Sequence, residues 1–270
     1  RNQCRGTVLV FLPGMGEIIE VDNEIHRCFP PSARLQVFPL HSEIALSDQV
    51  SVFDKHPPHV RRVILATNIA ESSITVPDVR YVIDCCMTKQ LQSDASASFT
   101  TLRLTWASRS NCEQRKGRAG RVANGVCIRL VPRRFFESLP GCECPEMMRT
   151  PLLNVILQTK MLGMGSPWEV LRNVISPPDQ DSVSSNLLKL FELGALTTTH
   201  ASARGLMDGD LTFLGQVMAR LPISVHLSKL IVLGHAFGLL EDAVIIAATS
   251  SSRQIFPAGY KSLLTRVRHK

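Results

Sequence analysis

Short apolar runs alternate with amphipathic stretches up to about residue 140. The apolar runs contain so few polar positions that they predict strands buried on both faces of a sheet. These predicted strands are Val8–Leu12, Val63–Ala66, Val79–Asp84 and Val126–Val131. Between them, Met15–Cys28 and Ser42–Phe53 carry apolar residues at helical spacing. This alternation predicts a doubly wound, parallel α/β sheet.

Beyond residue 140 the strand-like runs give way to helical patterns with start and stop signals. Thr150-Pro151 predicts an N-cap followed by proline at the first helical position. The helix that it opens, Leu152–Leu162, is predicted to end at Gly163. A second helix is predicted over Asn186–Leu193, ending at the next glycine.

The segment that follows predicts a small hairpin and then further helices. Ala195–Thr199 and Asp210–Phe213 are predicted to pair across a loop that contains Asp208-Gly209. Two helices followed by a hairpin predict a winged-helix module. The later helices are predicted at Gln216–Arg220, Leu227–Phe237 and Leu239–Ala248. The chain stops in a basic run, so we expect a third, truncated domain.

Composition narrows the class of protein. The 270 residues are 44% hydrophobic and carry a net charge of +7, which excludes disordered and collagen-like chains. No apolar stretch approaches the roughly 18 residues that span a bilayer, so we expect no membrane segment. The chain begins at Arg1 without a signal core, and we expect it to be a piece of a longer protein.

The eight cysteines contain no C-x-x-C pair, and Cys142-x-Cys144 is the nearest approach to a metal motif. We therefore expect reduced thiols and a cytosolic or nuclear protein. The positive charge is concentrated between Arg103 and Arg134, where nine Arg or Lys accompany one acidic residue, Glu113. This concentration indicates a phosphate-binding face.

The sharpest chemical signal is the segment Gln114–Arg121. Ser110 and Glu113 match a capping box, so a helix is predicted to begin near Asn111 and to carry this segment. On such a helix Gln114, Arg118 and Arg121 would share one face. Paired guanidiniums aimed at a γ-phosphate are the arginine-finger device of nucleotide hydrolysis. The alternative is a solvated basic face, which would not need two glycines that each cost a helix about 1 kcal/mol.

A second signal begins where the predicted strand Val63–Ala66 ends. Ala66–Val76 is rich in small hydroxyl and amide side chains, at the sheet edge where open α/β folds bind ligands. Such groups bind phosphate or ribose without reading base identity. The alternative for this segment alone is a capped turn into a helix.

Together the two segments resemble the DEAH/DExH-box family of superfamily 2 RNA helicases. The stretches that resemble its motifs IV, V and VI and an RNA-contacting motif are Val10–Gly14 with Glu17-Ile18, Thr67–Thr75, Gln114–Arg121 and Pro39–Ser42. Ala70–Val79 and Asn111–Arg115 are most similar to the spindle-E-like branch, germline helicases that also carry a tudor domain.

The resemblance implies three domains. Residues 1–143 correspond to the second RecA-like domain, residues 144–208 to the winged-helix domain, and residues 209–270 to the beginning of the helical ratchet domain. The later stretches that carry this resemblance are Arg149–Leu152, Ser176–Pro178, Leu193–Leu196, Leu214-Gly215 and Leu221-Pro222. We therefore expect an α/β RecA-like domain, a winged helix and part of an all-helical domain.

The resemblance also assigns site residues. Arg118 and Arg121 correspond to the arginine fingers, and Gln114 to the residue that positions the γ-phosphate or the attacking water. The remaining nucleotide contacts that it implies are Phe53, Ser73, Thr75 and Asp78, of which Phe53 also fits a core position. Pro77 stands where related proteins have an acidic residue, which argues against a ribose contact at this position. The implied RNA-backbone contacts are Gly14, His41, Ser42, Thr67, Asn68, Lys89 and Arg109.

Two motifs of such enzymes do not occur in these 270 residues: the phosphate loop G-x-x-x-x-G-K-[ST] and the Asp-Glu-x-His metal motif. The resemblance implies ATP with Mg²⁺, whose ligands would lie in a first RecA-like domain, so we expect the chain alone to be inactive. It also implies single-stranded RNA and piRNA-pathway or other ribonucleoprotein partners. The expected location is the cytoplasm, in perinuclear germ granules, or else the nucleus. The alternatives are a non-catalytic helicase-like scaffold and a DNA helicase.

Overall fold

The computed structural model describes residues 6–44, 49, 51–53, 57, 60–72, 76, 78–93, 100–121, 124–197 and 208–252. The chain divides into two compact units, Arg1–Pro145 and Glu146–Lys270. Each unit has its own apolar core, and each is described by itself below.

The first unit is built on a five-stranded parallel sheet, which confirms the predicted fold class. Its strands are β1 (Thr7–Phe11), β2 (Leu35–Leu40), β3 (Arg61–Ala66), β4 (Val79–Asp84) and β7 (Val126–Arg129), in the order β2-β3-β1-β4-β7. The pattern analysis missed β2, because Gln36 and Pro39 interrupt its apolar run. Proline is tolerated there since β2 is an edge strand.

The two faces of this sheet are covered by different elements. Helix α1 (Met15–Cys28), which was predicted over the same residues, packs Ile18 against Val37 and Val63 on one face. The short helix α2 (Ile69–Ser72) packs Ala70 on the other face, in the core that contains Leu9 and Phe11. The inner strands are therefore buried on both sides, as their apolar runs indicated.

The prediction for Val126–Val131 was wrong in two respects. Strand β7 is shorter, and it is an edge strand whose Val126 and Ile128 are 52% and 49% exposed. The helix predicted over Ser42–Phe53 falls partly outside the described residues. Within the described part, residues 42–44 form a turn and bend, Gln49 is helical, and Ser51–Phe53 forms a 3-10 turn.

An antiparallel ribbon connects β4 to the next helix. Its strands, β5 (Met87–Ser93) and β6 (Thr100–Trp106), pair from Met87 with Trp106 to Ser93 with Thr100. The sequence patterns did not predict this ribbon. Helix α3 (Arg109–Lys116) follows the ribbon, and helix α4 (Arg133–Ser138) follows β7.

The second unit is helical. Its helices are α5 (Leu153–Met161), α6 (Pro167–Arg172), α7 (Gln180–Glu192), α8 (Phe213–Arg220), α9 (Val225–Ala236) and α10 (Leu240–Ser251). Gly163 and Gly194 follow α5 and α7 with φ of +64° and +79°, which confirms both predicted helix ends. Helix α6 was not predicted. Helix α7 begins six residues before its predicted start, because its N-cap is Asp179, which accepts from Ser182 N.

The predicted N-cap at Thr150 was also wrong. The Thr150 hydroxyl donates to the Glu146 carbonyl, and the cap position of α5 is Leu152. The Leu152 amide donates to Asn186 Oδ1 of α7, at 3.1 Å, so a tertiary contact replaces the local cap. Of the predicted hairpin, the described residues contain one antiparallel bridge, between Leu196 and Leu211.

The core of the second unit includes Leu152 and Leu187 from before residue 208 and Met218 and Val225 from after it. The boundary between a winged-helix and a ratchet domain at residues 208 and 209 stays a prediction. No helix within the described ranges has the length and apolar character needed to cross a membrane.

Candidate nucleotide and RNA site

Several predicted RNA contacts lie at one edge of the first unit's sheet. Strands β1, β2, β3 and β4 are parallel and end level with one another, since Ala66 pairs with both Phe11 and Leu40, and Phe11 also pairs with Asp84. The segments after the strands are held together by Leu12 N donating to Ala66 O at 2.8 Å. The predicted contacts brought to this carboxyl edge are Gly14, His41, Ser42, Thr67 and Asn68.

Lys89 reaches this edge from strand β5. Its Nζ donates to Glu17 Oε2 at 3.1 Å, directly beside Gly14, the N-cap of α1. A Cβ on Gly14 would overlap Lys89 Nζ and lie 3.0 Å from Glu17 Oε2, so the Lys89–Glu17 pair lies directly against this position. Burial raises the pKa of Glu17, but its backbone hydrogen bond and Lys89 outweigh burial and lower it. A cation is therefore positioned above the carboxyl edge.

The other groups at this edge differ in exposure. Asn68 and Ser42 are exposed, whereas Thr67 is buried. His41 is half-buried, and its Nδ1 accepts from Glu43 N at 3.2 Å. An amide, a hydroxyl, an imidazole and an ammonium at one edge suit the sugars and phosphates of a nucleic acid strand.

Helix α3 begins two residues earlier than predicted. Its N-cap is Ser108, whose hydroxyl accepts from Asn111 N at 3.2 Å, so the capping box at Ser110 was wrong. Glu113 does not reach back to a cap; its carboxylate accepts from Lys116 and Arg129. The predicted RNA contact Arg109 is exposed at the first residue of this helix.

The helix also ends earlier than predicted, at Lys116. Gly117 is the C-cap, and Gly120 has a left-handed φ of +85°. Arg118 and Arg121 therefore lie in the turn after the helix, and their predicted position on one helical face with Gln114 was wrong. The glycines serve this turn, so they impose no cost on a helix interior.

This turn lies at the opposite edge of the sheet from Thr67. A Cβ on Gly125 would approach Gly120 N to 2.7 Å and Arg80 O to 3.0 Å, which places the turn against the first residues of β4. Helix α3 begins beside the carboxyl edge, where Ala107 N donates to Cys86 O, and motif VI starts within this helix and finishes at the amino edge.

Arg118 and Arg121 act electrostatically on each other. Arg118 Nη2 donates to the Glu71 carbonyl, and the side chain is half-buried, whereas Arg121 and Gln114 are exposed. Burial and the charge of Arg121 lower the pKa of Arg118, against the opposing effect of Glu71. Two guanidiniums that repel each other are stabilised by an anion, and phosphate oxygens fit their planar geometry.

Phe53 and Asp78 also lie towards the amino edge. Phe53 is 46% exposed and its neighbour Val52 is the core residue, so the core position considered for Phe53 was wrong. Arg62 connects the two segments, since it donates to the carbonyl of Val52, the residue before Phe53, at 2.8 Å and to Asp78 Oδ1. Thr7 Oγ1 donates to Asp78 Oδ2 at 2.8 Å.

Arg62 was not predicted as a site residue. Its position at the start of β3, close to predicted nucleotide contacts, could have indicated it. Ser73, Thr75 and Pro77 lie outside the described residues, and their assignments stay predictions. The roles of the other predicted contacts also stay predictions.

Glu71 joins motif V to motif VI. Its carboxylate accepts from Arg115 Nε at 3.1 Å and from Asn111 Nδ2 at 2.6 Å, and its carbonyl accepts from Arg118. Arg115 is 2% exposed and also donates to Asp84 Oδ1 at 2.9 Å. Burial lowers the pKa of Arg115, but Asp84 and Glu71 outweigh burial and raise it. Sequence reasoning missed this network because Arg115 looked like one more cation in a basic run.

Comparison with known proteins places these motifs in a family. Residues 1–123 match the model of the helicase conserved C-terminal domain. The chain is 48% identical over 269 residues to the ATP-dependent RNA helicase TDRD9 of Danio rerio, covering 97% of this chain and 20% of that protein. It is 46% identical over 263 residues to the probable ATP-dependent RNA helicase spindle-E of Aedes aegypti, covering 95% and 19%.

A solved structure has the same architecture. The DExH-box NTPase HrpB of E. coli superposes with a TM-score of 0.79 at 27% identity, over 93% of this chain and 29% of that one. The chain spans about a fifth of the length of the curated relatives that it matches. The match of the helicase model to residues 1–123, together with these relatives, confirms the resemblance to DEAH/DExH-box RNA helicases of the spindle-E-like branch.

Proposed function

We propose that this chain is the C-terminal half of an ATP-dependent RNA helicase core, which couples ATP hydrolysis to movement along single-stranded RNA. The observation that carries the proposal is the set of contacts through which Glu71 joins motif V to motif VI. On one side of it, motif V begins at Thr67 and Asn68 at the carboxyl edge. On the other side, Arg118 hydrogen-bonds to the Glu71 carbonyl itself. A shift at either end is therefore transmitted to the other through direct contacts.

On the nucleotide side, Arg118 and Arg121 would stabilise the charge of the transferring γ-phosphoryl group, and Gln114 would orient the phosphate or the attacking water. Phe53, exposed beside Arg62, would stack on adenine. Ser73, Thr75 and Asp78 would supply further nucleotide contacts. The adjacent guanidiniums fit a polyphosphate well. Mg²⁺ would be held by a first RecA-like domain.

On the RNA side, Gly14, His41, Ser42, Thr67, Asn68, Lys89 and Arg109 would hold the sugar-phosphate backbone. Contacts of this kind imply little sequence preference and a strong dependence of affinity on salt. ATP would close the two RecA-like domains and hydrolysis would reopen them. Each cycle would shift the grip of motif V along one strand, towards unwinding of RNA or remodelling of ribonucleoproteins.

The test uses the longer protein that contains this chain together with a first RecA-like domain. Replacing Arg118 or Arg121 by Ala is expected to lower RNA-stimulated ATP hydrolysis by about 10³–10⁵, the usual worth of an arginine finger. The matched control is Arg133→Ala, which removes a guanidinium that is 91% exposed in a pair with Glu137. A loss under about tenfold in both finger variants contradicts the catalytic assignment, whereas a wild type without RNA-stimulated hydrolysis favours a non-catalytic scaffold. The 270-residue chain alone is expected to show no turnover.

We further propose, on the spindle-E-like resemblance, a germline role in piRNA-directed transposon silencing. The protein would act in the cytoplasm, in perinuclear germ granules, with piRNA-pathway proteins as partners. Depleting the protein in germ cells is expected to raise the level of transposon transcripts. A wild-type transgene should lower that level again, whereas an Arg118→Ala transgene should not. Unchanged transposon transcripts on depletion contradict this role without affecting the helicase proposal.

A further inference from the structure

Two buried cysteines and a buried carboxylate meet where β4 ends beside helix α3. Asp84, Cys86 and Cys112 are each 0% exposed. Among the described residues, they form the group of three potential metal ligands, and their ligand atoms all lie within 4.8 Å of one another. The exposed pair Cys142 and Cys144, considered from the sequence as a weak metal signal, does not belong to this group.

The Asp84 carboxylate is incompletely satisfied. Its Oδ1 accepts from Cys86 N and from Arg115 Nη1, both at 2.9 Å. Its Oδ2 is buried and, within the part of the chain that the structure describes, has no hydrogen-bond partner. A buried polar oxygen without a partner costs about 1–3 kcal/mol, so the position favours a ligand that supplies positive charge.

The backbone at Cys86 holds the cluster in place. Cys86 has a left-handed φ of +59°, which costs a residue with a side chain about 1 kcal/mol or more. Hydrogen bonds from Cys86 N to Asp84 and from Ala107 N to Cys86 O, at 2.9 and 2.8 Å, hold this conformation. The cysteine is therefore fixed on both sides of its α-carbon, beside the carboxylate and facing the helix that carries Cys112.

We propose that Asp84, Cys86 and Cys112 bind one thiophilic divalent cation of the zinc class. Two thiolates at the usual Zn–S distance of about 2.3 Å lie about 3.8 Å apart in a tetrahedral site, so the side chains need to move by no more than about 1 Å. Each thiol releases one proton to solvent as it binds. No protein ligand is assigned to the fourth position, which is left to water.

The surroundings suit the charge of such a site. Two thiolates and a carboxylate exceed the charge of the ion by one negative charge, which the guanidinium of Arg115, shared with Glu71, offsets in part. Arg115 hydrogen-bonds to Asp84 Oδ1, the kind of outer contact that orients a ligating carboxylate. A bound ion would join the end of β4 to α3, the helix that also supplies Asn111 and Arg115 to Glu71. The inference does not depend on the helicase proposal.

The test measures bound metal in the full 270-residue chain, purified with reducing agent and zinc and then dialysed. About one equivalent of zinc is expected by elemental analysis, falling at least tenfold in Cys86→Ser and in Cys112→Ser. The control Cys142→Ser, an exposed cysteine, should retain the metal. Circular dichroism checks that each variant is folded.

A second measurement covers the case in which the serine variants do not fold. Zinc-edge X-ray absorption of the wild-type chain is expected to show sulfur neighbours at about 2.3 Å. Three results overturn the proposal: a wild-type chain without bound zinc, a zinc ion without sulfur neighbours, or zinc retained in both folded serine variants. A Cys86–Cys112 disulfide in freshly purified, unreduced protein would also overturn it, since it leaves no thiolates to bind.

Discussion

Arg115 and Glu71 form an ion pair inside the first unit, with the guanidinium Nε 3.1 Å from the carboxylate Oε2 and the side chains 2% and 8% exposed. Arg115 forms a second pair with Asp84, and its guanidinium lies over the ring of Phe11 at 5.2 Å. One cation therefore links motif V, motif VI and the end of β4. Burying this guanidinium is favourable only because Glu71, Asp84 Oδ1 and the Met87 carbonyl accept its hydrogen bonds.

Removing this cation should destabilise the first unit severely. Arg115→Leu leaves the Glu71 and Asp84 carboxylates buried without a counter-charge, and we expect a loss of about 3–5 kcal/mol in the free energy of unfolding. Urea unfolding of the chain, followed by circular dichroism, measures it. The control is the next residue, Lys116→Leu, whose pair with Glu113 is half-exposed and should matter by less than about 1 kcal/mol. Equal losses in both variants would show that burial of the pair is unimportant.

Lys89 donates to Glu17 within the chain and is also a predicted RNA contact. If it contacts RNA phosphate, Lys89→Ala should weaken binding of single-stranded RNA and reduce the slope of log affinity against log salt by about 0.7. Glu17→Gln removes the carboxylate that accepts from Lys89 at 3.1 Å, and should strengthen binding by about two- to fivefold. Fluorescence anisotropy over a salt series of the longer protein measures both. Lys116→Ala is the control, and the same salt slope in the Lys89 variant and the wild type would remove Lys89 from the RNA site.

The inner strands were predictable because a strand buried on both faces needs apolar residues at nearly every position. The apolar runs of β1, β3 and β4 occur in strands buried on both faces, and the pattern records this directly. The end of α3 was not predictable from charge periodicity, because the left-handed φ at Gly120 depends on a close approach to Gly125 across the turn. The Glu71 network was also hidden, since a sequence does not tell a buried arginine from a solvated one.

Helices α9 and α10 cross where a glycine permits close contact. A Cβ on Gly234 would overlap Ala243 Cβ and lie 3.1 Å from the Leu239 carbonyl. We expect Gly234→Ala to lower the stability of the second unit by about 1–3 kcal/mol, although alanine favours a helix. Gly16 of α1 has open space around it, so Gly16→Ala should stabilise the first unit by about 0.5–1 kcal/mol. Calorimetric unfolding of both variants measures the two shifts, and shifts of the same sign would contradict the packing argument.

Asp78 makes the stability of the first unit depend on pH in the acid range. Burial raises its pKa, but hydrogen bonds from Arg62 and Thr7 and the charge of Arg62 outweigh burial and lower it. A carboxyl group whose pKa is depressed by folding contributes stability above its unfolded value of about 3.9, and this stability is lost as the pH falls through the folded value. We therefore expect Asp78→Asn to lower the free energy of unfolding at pH 7.

The loss at pH 7 should be at most about 1 kcal/mol, since the Asp78 side chain is 49% exposed and partly screened by solvent. The difference between wild type and variant should shrink as the pH falls below about 4, where the unfolded carboxyl takes up its proton. Urea unfolding at several pH values measures this difference. Glu137→Gln, in an exposed pair with Arg133, is the control and should change the free energy little at any pH. A difference between wild type and Asp78→Asn that stays constant from pH 7 down to about pH 2.5 would contradict this prediction, because it would arise from the new amide group beside Arg62 and Thr7 and not from the charge of Asp78.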